Sequence, residues 1–312
     1  MGYQSWDEVK RRRGIRRVLL IILLLLLLGG AGFAGYHYYR DWKEKKAQKN
    51  YEELKERAFG TPSVTPSPAE PSVTEPAATS TPVPTHTPTE EEMLFAALLE
   101  KYEEYLTIHP DFTILHQENE DIFAYISVPN TIVDYPILAH EIEDYYLDHN
   151  LDHSTGYPGC LYIQNCNTTT LNDPFTIVYG HNMNNGTMFG SLHKYDDPEF
   201  LAENKYFFVY QERRVMVYEI VVVSYITTEH LLSDDYIKVD GKWKFDKFDG
   251  YETARMIKRI REGNDARSFI ATPEPTDEDT LMVLSTCGEG KRFIVVGKRV
   301  LVVPTDRGIP MK

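Results

Sequence analysis

Between Val18 and Tyr39 the chain is apolar almost throughout, and its stretch VLLIILLLLLLGGAGFAG carries no charge. About 20 apolar residues suffice to cross a bilayer as a helix. Lys10, Arg11, Arg12, Arg13, Arg16 and Arg17 stand directly before it. Positive charge stays cytoplasmic, so this pattern predicts an N-terminus inside and everything after Tyr39 outside. A cleaved signal peptide is the alternative. The run is long for such a segment, however, and no clear small-x-small cleavage site follows it. The expectation is an uncleaved single-pass anchor at the cell membrane, with a basic cytoplasmic head over 1–17 and a transmembrane helix over 18–39.

Charge divides along the same line. Residues 1–49 hold 11 Lys/Arg and 4 Asp/Glu, and the remainder holds 22 and 43. A basic head on an acidic body argues against nucleic acid as a partner. Residues 40–60 read as a charged juxtamembrane segment, helical in character and without a clear apolar face. Residues 61–89 are rich in Pro, Ser, Thr and Ala, with eight prolines. Such a composition cannot bury a core and stays extended, so it reads as a disordered linker holding the folded part away from the membrane.

The folded domain is expected over 90–312. It opens on a helix in TEEEMLFAALLEKYEEYLTIH, where Thr89 with Glu92 three residues later is a start signal. Eight β-rich runs follow: FAYISV, IVDYPIL, GCLYIQ, FTIVYG, YFFVYQ, RVMVYEIVVVSYI, TLMVLSTC and RFIVVGKRVLVV. Turn residues separate them, and this spacing predicts a mainly β barrel or sandwich. A second helix, DGYETARMIKRIREGN, interrupts the strands, with Gly263 placed to end it.

The three cysteines are Cys160, Cys166 and Cys287. Outside the cytosol an odd count leaves at least one thiol unpaired. Cys160 and Cys166 read as small buried apolar residues, with a disulfide between them as the alternative. No C-x-x-C spacing points to a metal, and none is expected.

The stretch VLSTCGEGKRFIVVGKRV reads as a hairpin in which Cys287 and Arg292 flank the loop Gly288–Lys291. Cross-strand neighbours share a face with Cβ atoms about 5 Å apart, so a guanidinium is placed near a thiol. Positive charge favours the thiolate, and the same cation can stabilise an oxyanion. The commoner arrangement for a lone Cys and Arg is an inert thiol and a solvated cation. Arg299, seven residues on and on the other face, is a poor substitute. Ser285 shares a face with Cys287 and is a candidate substrate or oxyanion contact; the Thr286 side chain points away, leaving its backbone N–H as a candidate oxyanion donor. For an acid or base, His181 stands out at the junction between the strand PFTIVYG and a Gly/Asn-rich loop. His193, His149 and His153 lie among charged residues and read as solvated surface. No acidic third member is evident.

Taken together, TIVYGHNM…GTMFGSLHKY and LSTC…RFIVV resemble the sortase family, class B in particular, as does ISVPNTIVDYPIL…DYYLDHN upstream. The resemblance covers roughly residues 90–305, including the helix before the barrel and the helix at 251–262. It departs from the family's usual run at Val283, at Ala124-Tyr125, in LYIQNCN and in the short loop between Cys287 and Arg292. Sortases are membrane-anchored cysteine transpeptidases of Gram-positive bacteria. The resemblance implies a closed eight-stranded barrel with Cys287 as nucleophile, His181 as general acid and base, and Arg292 as the stabilising cation. It implies as substrates secreted proteins bearing a C-terminal sorting signal, with an amine of a cell-wall peptide as acceptor and no cofactor. The alternatives are a pilin-polymerising sortase, a hydrolytic cysteine endopeptidase, and a non-enzymatic membrane-tethered domain that binds the wall.

Overall fold

In the computed structural model the residues described are 6–60, 87–288 and 290–305. The tract 61–89 lies outside them up to residue 86. The chain forms two compact units, Met1–Lys49 and Asn50–Lys312. The first helix, α1 (Trp6–Ala58), begins in the first unit, where Leu23–Leu28 are all exposed. Among the described residues it is the one helix long and apolar enough to cross a membrane.

The end of α1 belongs to the second unit and corrects the expectation for residues 40–60. Tyr51, Leu54 and Ala58 are buried, so the spacing i, i+3, i+7 makes an apolar face amid the charges. Tyr51 packs edge-on against Tyr135 at 5.0 Å and donates its hydroxyl hydrogen to the Gly159 carbonyl at 3.1 Å.

Helix α2 (Glu90–Thr107) starts as expected. Thr89 accepts from the Glu92 N–H, and the Glu92 carboxylate accepts from the Thr89 N–H. Leu98, Tyr102 and Leu106 form its buried face. A short α3 (Phe112–Glu118), capped by Asp111, leads into the sheet.

The eight expected runs are the eight strands of a closed barrel. They are β1 (Ile122–Ser127), β2 (Asp134–Leu138), β3 (Leu161–Ile163), β4 (Phe175–Tyr179), β5 (Tyr206–Gln211), β6 (Arg214–Ile226), β10 (Leu281–Gly288) and β11 (Lys291–Pro304). Around the barrel they run β11-β10-β4-β3-β2-β1-β5-β6, and β6 pairs with β11 to close it. The strands are buried on both faces: Phe207, Phe208, Val283 and Ile294 are all fully buried, and Phe208 is covered by Tyr102 and Tyr105 of α2. Two pairings are parallel, β2 with β3 and β10 with β4. The second sets the functional site.

Further elements decorate the barrel. Helix α4 (Pro198–Glu203) precedes β5. The hairpin β7 (Tyr236–Val239) and β8 (Lys242–Phe245) follows β6, and β9 (Phe269–Ile270) adds to the side of β6. Between them α5 (Glu252–Gly263) is the inserted helix. It runs through Gly263, and the left-handed residue that ends it is Asn264, with φ of 46°.

Candidate active site

The parallel pairing of β10 with β4 aligns Ser285 with Tyr179, and the Gly180 N–H donates to the Ser285 carbonyl at 3.2 Å. Two residues beyond this matched pair lie His181, just past the end of β4, and Cys287 on β10. Parallel strands leave the sheet in the same direction, so both residues emerge at one rim. Gly180 lets the chain turn there. A Cβ at that position would stand 2.4 Å from Leu161 Cδ2 and 2.7 Å from Phe189 Cδ2.

Cys287 and Arg292 are cross-strand partners, as the sequence predicts. The ladder continues one step further, through Gly288 and Lys291, so only Glu289 and Gly290 separate the strands rather than the four residues expected. Gly290 has φ of 75°, a backbone region that suits glycine. Cys287 is exposed, and an Arg292 Nη lies 4.0 Å from its Sγ. The same guanidinium lies 5.7 Å from the centre of the Tyr179 ring. Arg299 is at the far end of the hairpin, donating to the Leu171 carbonyl at 3.0 Å and the Thr280 hydroxyl at 3.3 Å.

A cavity of about 330 Å³ opens at this rim, and Cys287, His181, Arg292 and Ser285 all line it. Ser285 is otherwise buried. Thr286 faces the other way, fully buried, and its hydroxyl has no hydrogen-bond partner among the described residues. His181 Nε2 lies 2.7 Å from the Leu147 carbonyl. A carbonyl only accepts, so Nε2 carries the proton and Nδ1 is the nitrogen left for chemistry. Tyr157 packs on the ring at 4.7 Å.

Several lining residues were not picked out in the sequence. His230 lies between β6 and the turn Ser233–Asp235, with Nε2 within 2.9 Å of the Tyr179 hydroxyl and 2.7 Å of Gln164 Oε1. Its Nδ1 accepts from the Leu232 N–H. Burial holds its pKa below the ordinary imidazole range, and Arg292 and Arg259 add to this while Asp144 opposes it. Asp144 accepts from the Tyr162 hydroxyl at 2.9 Å and from the Gln164 amide at 2.8 Å. The signal for these residues is topological. Ile226, the last residue of β6, pairs with Arg292, so the loop that follows must arrive at the same rim.

The other two thiols are unpaired and buried. Burial pushes the pKa of both Cys160 and Cys166 up to about 12, which leaves them as thiols at neutral pH. The reading of His193 as solvated surface is corrected. Its ring is stacked on Phe293 with centroids 4.4 Å apart, and Nδ1 lies 3.1 Å from the Tyr225 hydroxyl. Among the described residues, Asp235, Asp249 and Glu252 have metal-like spacing. Their cation is Arg255, bonded to Asp235 at 2.6 Å and to Asp249 at 2.8 Å.

A sortase-domain family model matches residues 126–300, more than half of the chain. Sortase B of Listeria monocytogenes is 28% identical over 191 residues, covering 60% of this chain and 72% of that protein. Sortase B of Staphylococcus aureus is 26% identical over 215 residues, covering 67% of this chain and 81% of that protein. Among solved structures, Clostridium perfringens sortase B superposes with a TM-score of 0.50 at 25% identity, covering 61% of this chain and all of that one. A Staphylococcus aureus sortase B–substrate complex gives 0.50 at 22% identity, covering 67% of this chain and 92% of that one, and shares the fold.

Proposed function

The chain belongs to the sortase family of cysteine transpeptidases, and from that premise we propose that it cleaves a C-terminal sorting signal of secreted proteins and transfers the product to an amine of the cell wall. The Cys287 thiolate adds to the carbonyl carbon of the scissile bond, and Arg292 stabilises the oxyanion. The C–N bond breaks, the leaving amine takes a proton from His181, and a thioester remains on Cys287. An incoming amine then attacks the thioester, gives its proton to His181 and releases the Cys287 thiolate. Ser285 contacts the bound peptide from the cavity floor, and the Thr286 N–H is a further oxyanion donor. The basic head lies in the cytoplasm, residues 18–39 anchor the chain, and the domain acts outside.

The observation that supports this reading most is the cavity, where an exposed thiol, a guanidinium 4.0 Å from it and an imidazole from the adjacent parallel strand meet. The test uses the full chain in detergent. It is incubated with peptides covering the C-terminal tails, in the same genome, that carry a short motif, an apolar span and a basic end. Intact-mass analysis should reveal a hydroxylamine-sensitive adduct on Cys287, and added amine should convert it to an amide product. Hydrolysis unchanged by added amine would instead make the chain an endopeptidase.

A further inference from the structure

We infer that Asn182 and His193 are positioning residues for Cys287, joined to its backbone by a chain of hydrogen bonds that runs in one direction only. The Asn182 side chain lies 2.7 Å from the Cys287 carbonyl. That carbonyl can only accept, so the amide nitrogen faces it. The second hydrogen of the same nitrogen points to His193 Nε2 at 3.1 Å. An amide NH₂ has two hydrogens to give and accepts none, so Nε2 must be the unprotonated nitrogen of the ring. The proton of neutral His193 is therefore on Nδ1, which donates to the Tyr225 hydroxyl at 3.1 Å. Tyr225 in turn donates to the Asp196 carboxylate at 2.7 Å. Asp196 Oδ2 also lies 3.5 Å from His193 Nδ1, on the side where the ring carries its proton, and reversing one link breaks the next.

The seat of the nucleophile has the same origin. A Cβ on Gly288 would lie 2.9 Å from Tyr225 Cε1 and 3.0 Å from His193 Cε1, so the residue after Cys287 rests on these two rings. Phe293 backs His193 from β11, and the Arg267 guanidinium covers Tyr225 at 3.8 Å. Asn182 directly follows His181. One amide thus ties the loop carrying the imidazole to the end of the strand carrying the thiol.

The kinetic part of this inference rests on the proposed function; the hydrogen-bond part does not, and the experiment separates them. The full chain, labelled with ¹⁵N-histidine, is studied by long-range ¹H–¹⁵N correlation at about pH 8, where an ordinary imidazole is neutral. His193 should appear as the Nδ1–H tautomer, and Asn182→Ala should release it toward Nε2–H. Thioester formation is measured in parallel with the peptide that acylates the wild type best. Asn182→Ala should slow it about tenfold, and His193→Ala about fivefold, as loss of one well-placed hydrogen bond implies, with KM little changed. His193→Gln can still accept from Asn182 and should return the rate to within about twofold of wild type. An Nε2–H tautomer in the wild type overturns the inference whether or not any peptide reacts. So does a His193→Gln variant as slow as His193→Ala, since a packing role alone would not distinguish acceptor from methyl.

Discussion

Two arginines stand seven residues apart on β11, and the two ends of the strand treat them in opposite ways. Arg299 spends its donors on structure, holding the Leu171 carbonyl and the Thr280 hydroxyl. Among the described residues Arg292 has no carbonyl or carboxylate partner; its neighbours are a thiol at 4.0 Å and the face of Tyr179. A half-buried guanidinium with such neighbours gains little stability from the arrangement. The contrast separates an end of the hairpin whose guanidinium is tied into the fold from an end whose guanidinium lines the cavity, where we propose that it meets an incoming group. The thiols divide in the same way: Cys287 is exposed beside a cation, and Cys160 and Cys166 are buried.

The largest expected effect breaks the thiol half of this contrast. Cys287→Ala should abolish the acyl adduct in intact-mass analysis and leave the thermal midpoint nearly unchanged, because the side chain is exposed. Cys160→Ala and Cys166→Ala should do the reverse. Each should keep most of the activity and lose about 1–2 kcal/mol in a denaturant titration, from the cavity left behind. An adduct persisting in Cys287→Ala would remove that residue from its role.

The arginines come next. Arg292→Lys keeps a charge but loses the planar fork, and should cost about 10²–10³ in turnover, as for a lost oxyanion donor. The pH midpoint of Cys287 alkylation by iodoacetamide should move much less, since the charge remains. Arg299→Lys should leave turnover within about twofold and cost about 1 kcal/mol of stability from weakened hydrogen bonds. If Arg299→Lys were the slow variant, the functional end of the hairpin would have been assigned wrongly.

The smallest effect concerns His230, which lines the cavity beside Arg292. Its pKa is depressed in the folded state, mainly by burial. Its contribution to stability is therefore complete above the unfolded value of about 6.5 and is lost as pH falls toward the folded value. His230→Gln should flatten the fall in thermal midpoint over that acidic window. An unchanged slope would mean that other groups carry the acid sensitivity.

Much of the barrel was legible because its strands are rich in β-branched and aromatic residues and are separated by turn residues. The hairpin β7–β8 was not, although Asp240-Gly241 is a hairpin signal. Its lysines, Lys238, Lys242 and Lys244, are exposed, and so is Trp243, so no alternation of apolar and polar residues marked it. Tyr51, Leu54 and Ala58 had helical spacing, but Glu52, Glu53, Lys55, Glu56 and Arg57 surround them and hid the face. Within the site, the partnership of Cys287 with Arg292 could be read because it is local to one hairpin. The placement of His181 beside them could not be derived from its own segment, because it depends on parallel pairing between distant strands. His193 was misread for a related reason. Its neighbours Lys194 and Asp196 are charged, but the surface it stacks on, Phe293, comes from the last strand of the barrel.

That parallel pairing also sets the order in which the site can be assembled. Strand β4 begins at Phe175 and its partner β10 at Leu281, so joining them requires closure of a long loop, which is slow relative to forming a hairpin. During synthesis the thiol and its guanidinium meet as soon as β10 and β11 zip together. The imidazole is made earlier and must wait for the sheet to close around it. In refolding experiments, formation of the β10–β11 hairpin should therefore precede the gain of acylation by a measurable lag. On the proposed roles, a chain caught part-way would hold Cys287 without His181 beside it, and so be unable to complete a cut.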